Sequence, residues 1–238
     1  MPDDIPALLE IADDQIDRPT SKKELIRAVD ALEKVRELLG ERSVDVEPVE
    51  VHIRLALACF LVSEREDETA KKLAWITKGE EAAEETLRER PNRVEGYYYL
   101  AVLQGRRLEH GGLSGIIRVR SVEDLGLKAV DIDPSFEEGG PYRLLAMLYA
   151  KAPPWPTSVG DVDLALEYAE KAVELSDYAL NHLIMAEVLI EAEEFDEAKA
   201  ELRKVLSAPK TGRWARDGEQ WRPHARQLLR QLESLSSN

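Results

Sequence analysis

Two stretches near the C-terminal end decide the fold: Ala165-Leu-Glu-Tyr-Ala-Glu-Lys-Ala172-Val-Glu-Leu175 and Ala198-Lys-Ala-Glu-Leu-Arg-Lys-Val205-Leu206. Their starts lie 33 residues apart, and both put apolar residues at steps of three and four, the period of a helix with one buried face. Ala165, Ala172 and Ala198 are small enough to let helices cross closely. Ala186 lies twelve residues before Ala198, and Ala192-Glu-Glu-Phe195-Asp-Glu-Ala198 has the form of a turn between paired helices.

Self-similarity near 34 residues with paired helices is the signature of the tetratricopeptide repeat (TPR), whose units stack because none buries its apolar face alone. Weaker copies lie upstream. Lys128-Ala129 leads to a closing Asp133-Pro134, Glu95-Gly-Tyr-Tyr-Tyr-Leu-Ala101 follows Pro91, and Leu57-Ala58 precedes a long helix after Glu68. Near the start, Ser21 and Glu24 have capping-box spacing. Leu25, Ala28, Val29, Leu32, Val35, Leu38 and Leu39 then follow at helical steps, with Gly40 as the expected stop. The expectation is one all-α domain over 1–238, a TPR-like helical-repeat superhelix of about four cryptic repeats. Residues 1–46 and 207–238 are its helical caps and 47–206 its repeats. Glu137-Glu-Gly-Gly-Pro141 reads as a turn before a helix from Tyr142 to Ala150.

Composition narrows the function. The 238 residues carry 32 Lys+Arg against 47 Asp+Glu, a formal charge of −15. Nucleic-acid binding draws on a basic face that releases phosphate counterions, so no nucleic-acid partner is expected. The longest apolar runs are too short to span a bilayer, so no direct membrane insertion is expected. MPDDIPALLE has no signal-peptide pattern, and the chain as given reads as cytoplasmic; a periplasmic chain that has shed its leader is the alternative.

Enzymatic motifs fail on inspection. Gly105 to Gly111 lacks the Gly-Lys-Ser/Thr ending of a phosphate loop. Asp131-Ile-Asp133 opens like a calcium loop but has Phe136 and Tyr142 where Gly and Glu belong. His52, His110, His182 and His224 show no metal-ligand spacing, and the single cysteine, Cys59, reads as a small core residue. No catalytic residue, metal or cofactor is expected.

Candidate binding residues are Tyr97, Tyr99, Arg143, Tyr149, Trp155, Asn181 and His182. Successive helix residues point about 100° apart, so Tyr97, Tyr98 and Tyr99 divide between core and groove. His182 falls at a TPR position that faces the concave side, or is a hydrogen-bonded structural histidine. Trp155, in Ala152-Pro-Pro-Trp-Pro156, is expected to pack near Tyr149 or Tyr168, with the lip of a pocket or subunit contact as its other role, and Asp161, or Gly160 in its place, is expected to cap the next helix. Arg213, Arg216, Arg222, Arg226 and Arg230 form a basic end that pairs with acidic neighbours or another subunit.

Between the repeat positions the wording is more particular: Pro91…Glu95-Gly-Tyr-Tyr-Tyr-Leu-Ala101, Asp133-Pro134…Gly139-Gly-Pro-Tyr-Arg143, Lys151-Ala-Pro-Pro-Trp-Pro156-Thr-Ser-Val-Gly-Asp161 and Asn181-His-Leu183. Over about Pro91 to Leu206 the chain resembles the T component of TRAP transporters (the TatT-like family of TPR proteins). The resemblance implies a helical-repeat protein that can form a trimer and that, in the family's transporter role, binds an extracytoplasmic solute-binding P component. Family members in that role are lipid-anchored behind a signal sequence; neither that pattern nor a lipobox cysteine is read in the chain as given, where Cys59 falls inside a helix. The expected function is therefore a non-catalytic interaction module with a protein partner. The alternative is a small-molecule or apolar-ligand binding protein with a pocket enclosed by the repeats.

Overall fold

The computed structural model describes residues 4–17, 21–41, 46–109, 115–209 and 213–235. Among them are eleven α-helices and no strand, in two compact units, Met1–Ile132 and Asp133–Asn238.

The first unit holds α1 (Ile5–Asp17), α2 (Lys22–Glu41), α3 (Pro48–Glu64), α4 (Thr69–Glu89), α5 (Val94–Leu108) and α6 (Gly115–Ile132). Each helix packs on the next, and α3 also touches α1 and α5. That is the zigzag of stacked helical hairpins, with α1, α3 and α5 in one row. Position in the row explains the pattern of burial. At its centre, α3 is buried through Val49, Val51, Leu55, Ala56, Ala58, Cys59, Leu61 and Val62, so it is apolar nearly all round. At its flank, α2 buries one stripe: Leu25, Ala28, Val29, Leu32, Val35 and Leu38 are buried and Leu39 is half-buried. Ser21 opens α2 by accepting the Glu24 amide on its hydroxyl at 3.3 Å. The expected stop at Gly40 does not occur. The helix runs through it to Glu41, because a glycine weakens a helix by only about 1 kcal/mol and does not end one by itself. Pro48 is the first residue of α3, where its missing N–H leaves nothing unpaired.

The second unit holds α7 (Phe136–Lys151), α8 (Val162–Leu175), α9 (Ala179–Glu191), α10 (Phe195–Ser207) and α11 (Arg213–Leu235). Here α9 is the central helix, touching α7, α8, α10 and α11. Ala165, Ala169, Ala172, Ala186 and Ala198 are fully buried, so the small residues of the quoted repeats sit at the helix contacts. Leu183, Leu189, Leu202, Val205, Ala225 and Leu232 complete this core. No helix among the described residues is long and apolar enough to cross a membrane.

Candidate interaction surface

The site builds from the two ends of α7. At its entrance, Glu137, Glu138 and Gly139 have left-handed φ of 54°, 57° and 85°, so regular helix begins only at Gly140-Pro141, after the turn expected there. Such a conformation costs about 1–2 kcal/mol for each non-glycine residue. A polar network in the same unit holds it. The guanidinium of Arg143 donates to the carbonyls of Glu138 at 2.8 Å and Glu137 at 2.7 Å, and to Asn181 Oδ1 at 2.6 Å. The Asn181 amide in turn reaches the carbonyls of Glu138 at 3.0 Å, Ala172 at 2.8 Å and Ser176 at 2.8 Å. Ser176 donates its hydroxyl to Glu138 Oε2 at 2.8 Å, and the Arg143 guanidinium lies 5.6 Å from the Tyr178 ring centroid. Arg143 and Asn181 are both buried. Two residues singled out for binding thus have their polar groups engaged in holding a strained turn.

At the exit of α7 the loop from Ala152 to Asp161 is pinned at its base. Gly160 donates its amide to the Pro153 carbonyl at 2.9 Å and Asp161 to that of Tyr149 at 3.0 Å, while Thr157 closes a turn on the Pro154 carbonyl at 3.0 Å. A Cβ on Gly160 would stand 2.0 Å from the Ala152 carbonyl oxygen, so the two ends of the loop approach as closely as only glycine allows. Asp161 caps α8 as expected, accepting the Leu164 amide at 3.0 Å. Tyr149 is buried and stacks on Tyr168 with centroids 5.6 Å apart; Tyr142 adds a third ring, 6.1 Å from Tyr168. The expectation that Trp155 joins these rings is overturned: it is 83% exposed. The physical reason is the pinned base. Backbone bonds draw Pro153, Gly160 and Asp161 against the end of α7, and the rings already fill one another's faces, so the loop tip and its indole project into solvent.

His182 is buried between two carboxylates, with Nδ1 2.5 Å from Glu201 and Nε2 2.6 Å from Asp177. Both ring nitrogens are engaged, and the ring ties the start of α9 to α10. On α11, His224 lies 3.0 Å from Glu187; that hydrogen bond raises its pKa above the ordinary histidine value despite partial burial. Asn181 and His182 therefore stand in internal networks, side by side in sequence and committed to different partners.

In the first unit, Tyr99 is buried and Tyr97 and Tyr98 are half-buried; Tyr98 and Tyr99 meet edge-on at 5.4 Å. An open groove of about 790 Å³ runs between α2 and α4 over Leu55 of α3, lined by Glu33, Arg36, Lys78 and Glu81. Lys78 pairs with Glu33 across it at 2.9 Å. Sequence reading missed this groove because its walls are ordinary solvated helix residues. Beside it Cys59 is fully buried, and desolvation pushes its thiol up to about 12. Among the described residues no group of three or more His, Cys, Asp or Glu is placed to hold a metal. His110 and the side chains of Arg213 and Arg216 lie outside the described residues.

Comparison with known proteins places this geometry. TTC0263, described as a thermophilic TPR protein of Thermus thermophilus, is 15% identical, with a TM-score of 0.69 over 95% of this chain and 99% of its own. MamA protein is also 15% identical, with a TM-score of 0.49 over 90% of this chain and 94% of its own. The likeness to TTC0263 shows the fold: an all-α, TPR-like helical repeat. No curated protein matches the chain. The model of one protein family, Regulator of microtubule dynamics protein 1-3, matches residues 8–137. That match covers more than half of the chain, from α1 into the entrance of α7, and the protein belongs to this family.

Proposed function

We propose that the protein is a non-catalytic interaction scaffold whose second unit docks a protein partner through the Ala152–Asp161 loop. The observation that carries this reading is Trp155, a large apolar side chain 83% exposed on a loop whose base is pinned by backbone hydrogen bonds. Tryptophan is the residue type most enriched at binding hot spots, and a loop stiffened by three prolines has little entropy left to lose on docking. The internal engagement of Arg143, Tyr149 and Asn181 favours such a scaffold over an enclosed ligand pocket, since each already has its partners within the unit. A TPR-like fold supports protein interaction in general, and a family described as a regulator agrees with it. The test is capture from native lysate with the wild-type chain and with Trp155→Ala. A stoichiometric partner retained by the first and lost by the second is the expected result, and equal capture by both refutes the role of the loop.

A finer reading makes the partner a solute-binding protein and the assembly a trimer, as in the T components that the Pro91–Leu206 segment resembles. Its support is the wording of the sequence, above all Ala152-Pro-Pro-Trp-Pro156. Sedimentation checks both parts: a monomer that does not co-sediment with a solute-binding protein encoded beside it sinks this reading and leaves the scaffold standing.

A further inference from the structure

The surroundings of Trp155 name the chemistry of what docks there. In the second unit α7 and α9 point the same way, and Lys151 at the end of α7 pairs with Glu191 at the end of α9. The α7–α8 loop and the α9–α10 turn therefore share one end of the unit. That end carries Trp155 and, at the start of α10, Phe195, which is 39% exposed. Around them the exposed charge left without an ion-pair partner is acidic. Asp163, Glu193, Glu194 and Glu197 are exposed, and among the described residues none of the four has a cationic partner at ion-pair distance. Two cations at this end are already occupied, Lys151 by Glu191 and Lys199 by Asp196 at 2.9 Å. The turn is held in shape: Glu193 sits at φ 62°, and the Glu194 amide is bound to the Leu189 carbonyl at 2.8 Å, so the carboxylates are presented from fixed backbone.

Resting on the docking role of the loop, we infer that this end of the second unit binds a Lys/Arg-rich segment of a partner protein, with Trp155 as the aromatic platform and the α9–α10 turn as the acidic rim. The two elements do different things. An indole face attracts a guanidinium or ammonium group through its quadrupole, and more strongly once the pair is desolvated. The surrounding carboxylates steer a cationic segment toward it and penalise an anionic one, a contribution that salt weakens. An apolar partner would fill the same indole surface but would leave four carboxylates facing a dry interface without counter-charge, which is costly. Phe195 lies beside the acidic turn and offers the aliphatic stems of the same Lys and Arg side chains a surface to pack on.

The experiment uses the full chain and a fluorescein-labelled peptide of alternating Arg and Ala, read by anisotropy at about 0.15 M salt, where exposed charges beyond about 8 Å are screened. A peptide with Glu in place of Arg is the control. The expected result is binding of the Arg peptide alone, weakened about tenfold by Trp155→Ala and by the combined Glu193→Lys, Glu194→Lys and Glu197→Lys variant. Trp155→Phe should retain part of the affinity. Circular dichroism confirms folding, which exposed positions leave intact. Equal binding by wild type and Trp155→Ala overturns the inference, because general attraction to an acidic protein then accounts for it. No binding of the Arg peptide also overturns it; if Trp155→Ala still abolishes capture of a lysate partner, the docking role survives and only the basic chemistry falls. Concentration-dependent self-association lost in Trp155→Ala makes a second copy of the chain the occupant and overturns it as well.

Discussion

The two ends of α7 are irregular in opposite ways. At the entrance the Glu137–Gly139 turn takes a strained backbone and meets it with the side chains of Arg143 and Asn181, all directed inward. At the exit the backbone of the Ala152–Asp161 loop satisfies itself through Pro153, Tyr149 and Pro154 carbonyls, and its largest side chain faces out. A segment that needs side chains for its own support has none to offer a partner. One that closes on its backbone keeps its side chains available. By that test the entrance is scaffold and the exit is surface.

Four substitutions sharpen or break this contrast. The largest effect is expected from Arg143→Ala, which removes three charge-assisted hydrogen bonds, one of them to the buried Asn181 Oδ1; about 3–5 kcal/mol should be lost, read by urea unfolding. A loss below about 1 kcal/mol would mean that the turn holds itself. Next, Gly160→Ala forces the 2.0 Å contact with the Ala152 carbonyl apart and should cost about 1–3 kcal/mol. It should also displace the loop, so partner capture falls with it. Asp161→Ala deletes a helix cap, worth about 1 kcal/mol, and a smaller or absent change would show that water replaces the carboxylate without loss. The smallest change in stability belongs to Trp155→Ala, within about 0.5 kcal/mol of wild type, together with loss of partner binding. A drop of several kcal/mol there would put the indole in the core and remove the contrast altogether.

The helices were legible because burial leaves a periodic trace: α2 and α10 show one apolar stripe, and the alanines of α8 and α10 mark close crossings. Asp161 was legible as a cap because capping is local. The partners of Arg143 were not. Asn181 lies 38 residues away, and nothing in the chain between them announces that a guanidinium and an amide share one carbonyl. Trp155 was misplaced for a related reason. Its hydrophobicity argues for burial, but which way a loop tip points depends on backbone bonds at its base, and these involve Pro153, Gly160 and Tyr149 atoms common to every residue type. His182 was read as a concave-face or a hydrogen-bonded structural histidine; its two carboxylates, Asp177 and Glu201, come from either side of α9 and only the fold brings them together.

The burial of Cys59 has a practical consequence. It is the only cysteine in the chain, it has no solvent exposure, and its thiol titrates near 12, so a thiol reagent at neutral pH finds almost no reactive thiolate in the native protein. Alkylation must wait for the Met1–Ile132 unit to open, and its rate is a built-in clock for that opening. The same silence makes the chain ready for site-specific labelling. A cysteine introduced at Thr157, on the loop tip, would take a fluorophore selectively and report each docking event from a single known position.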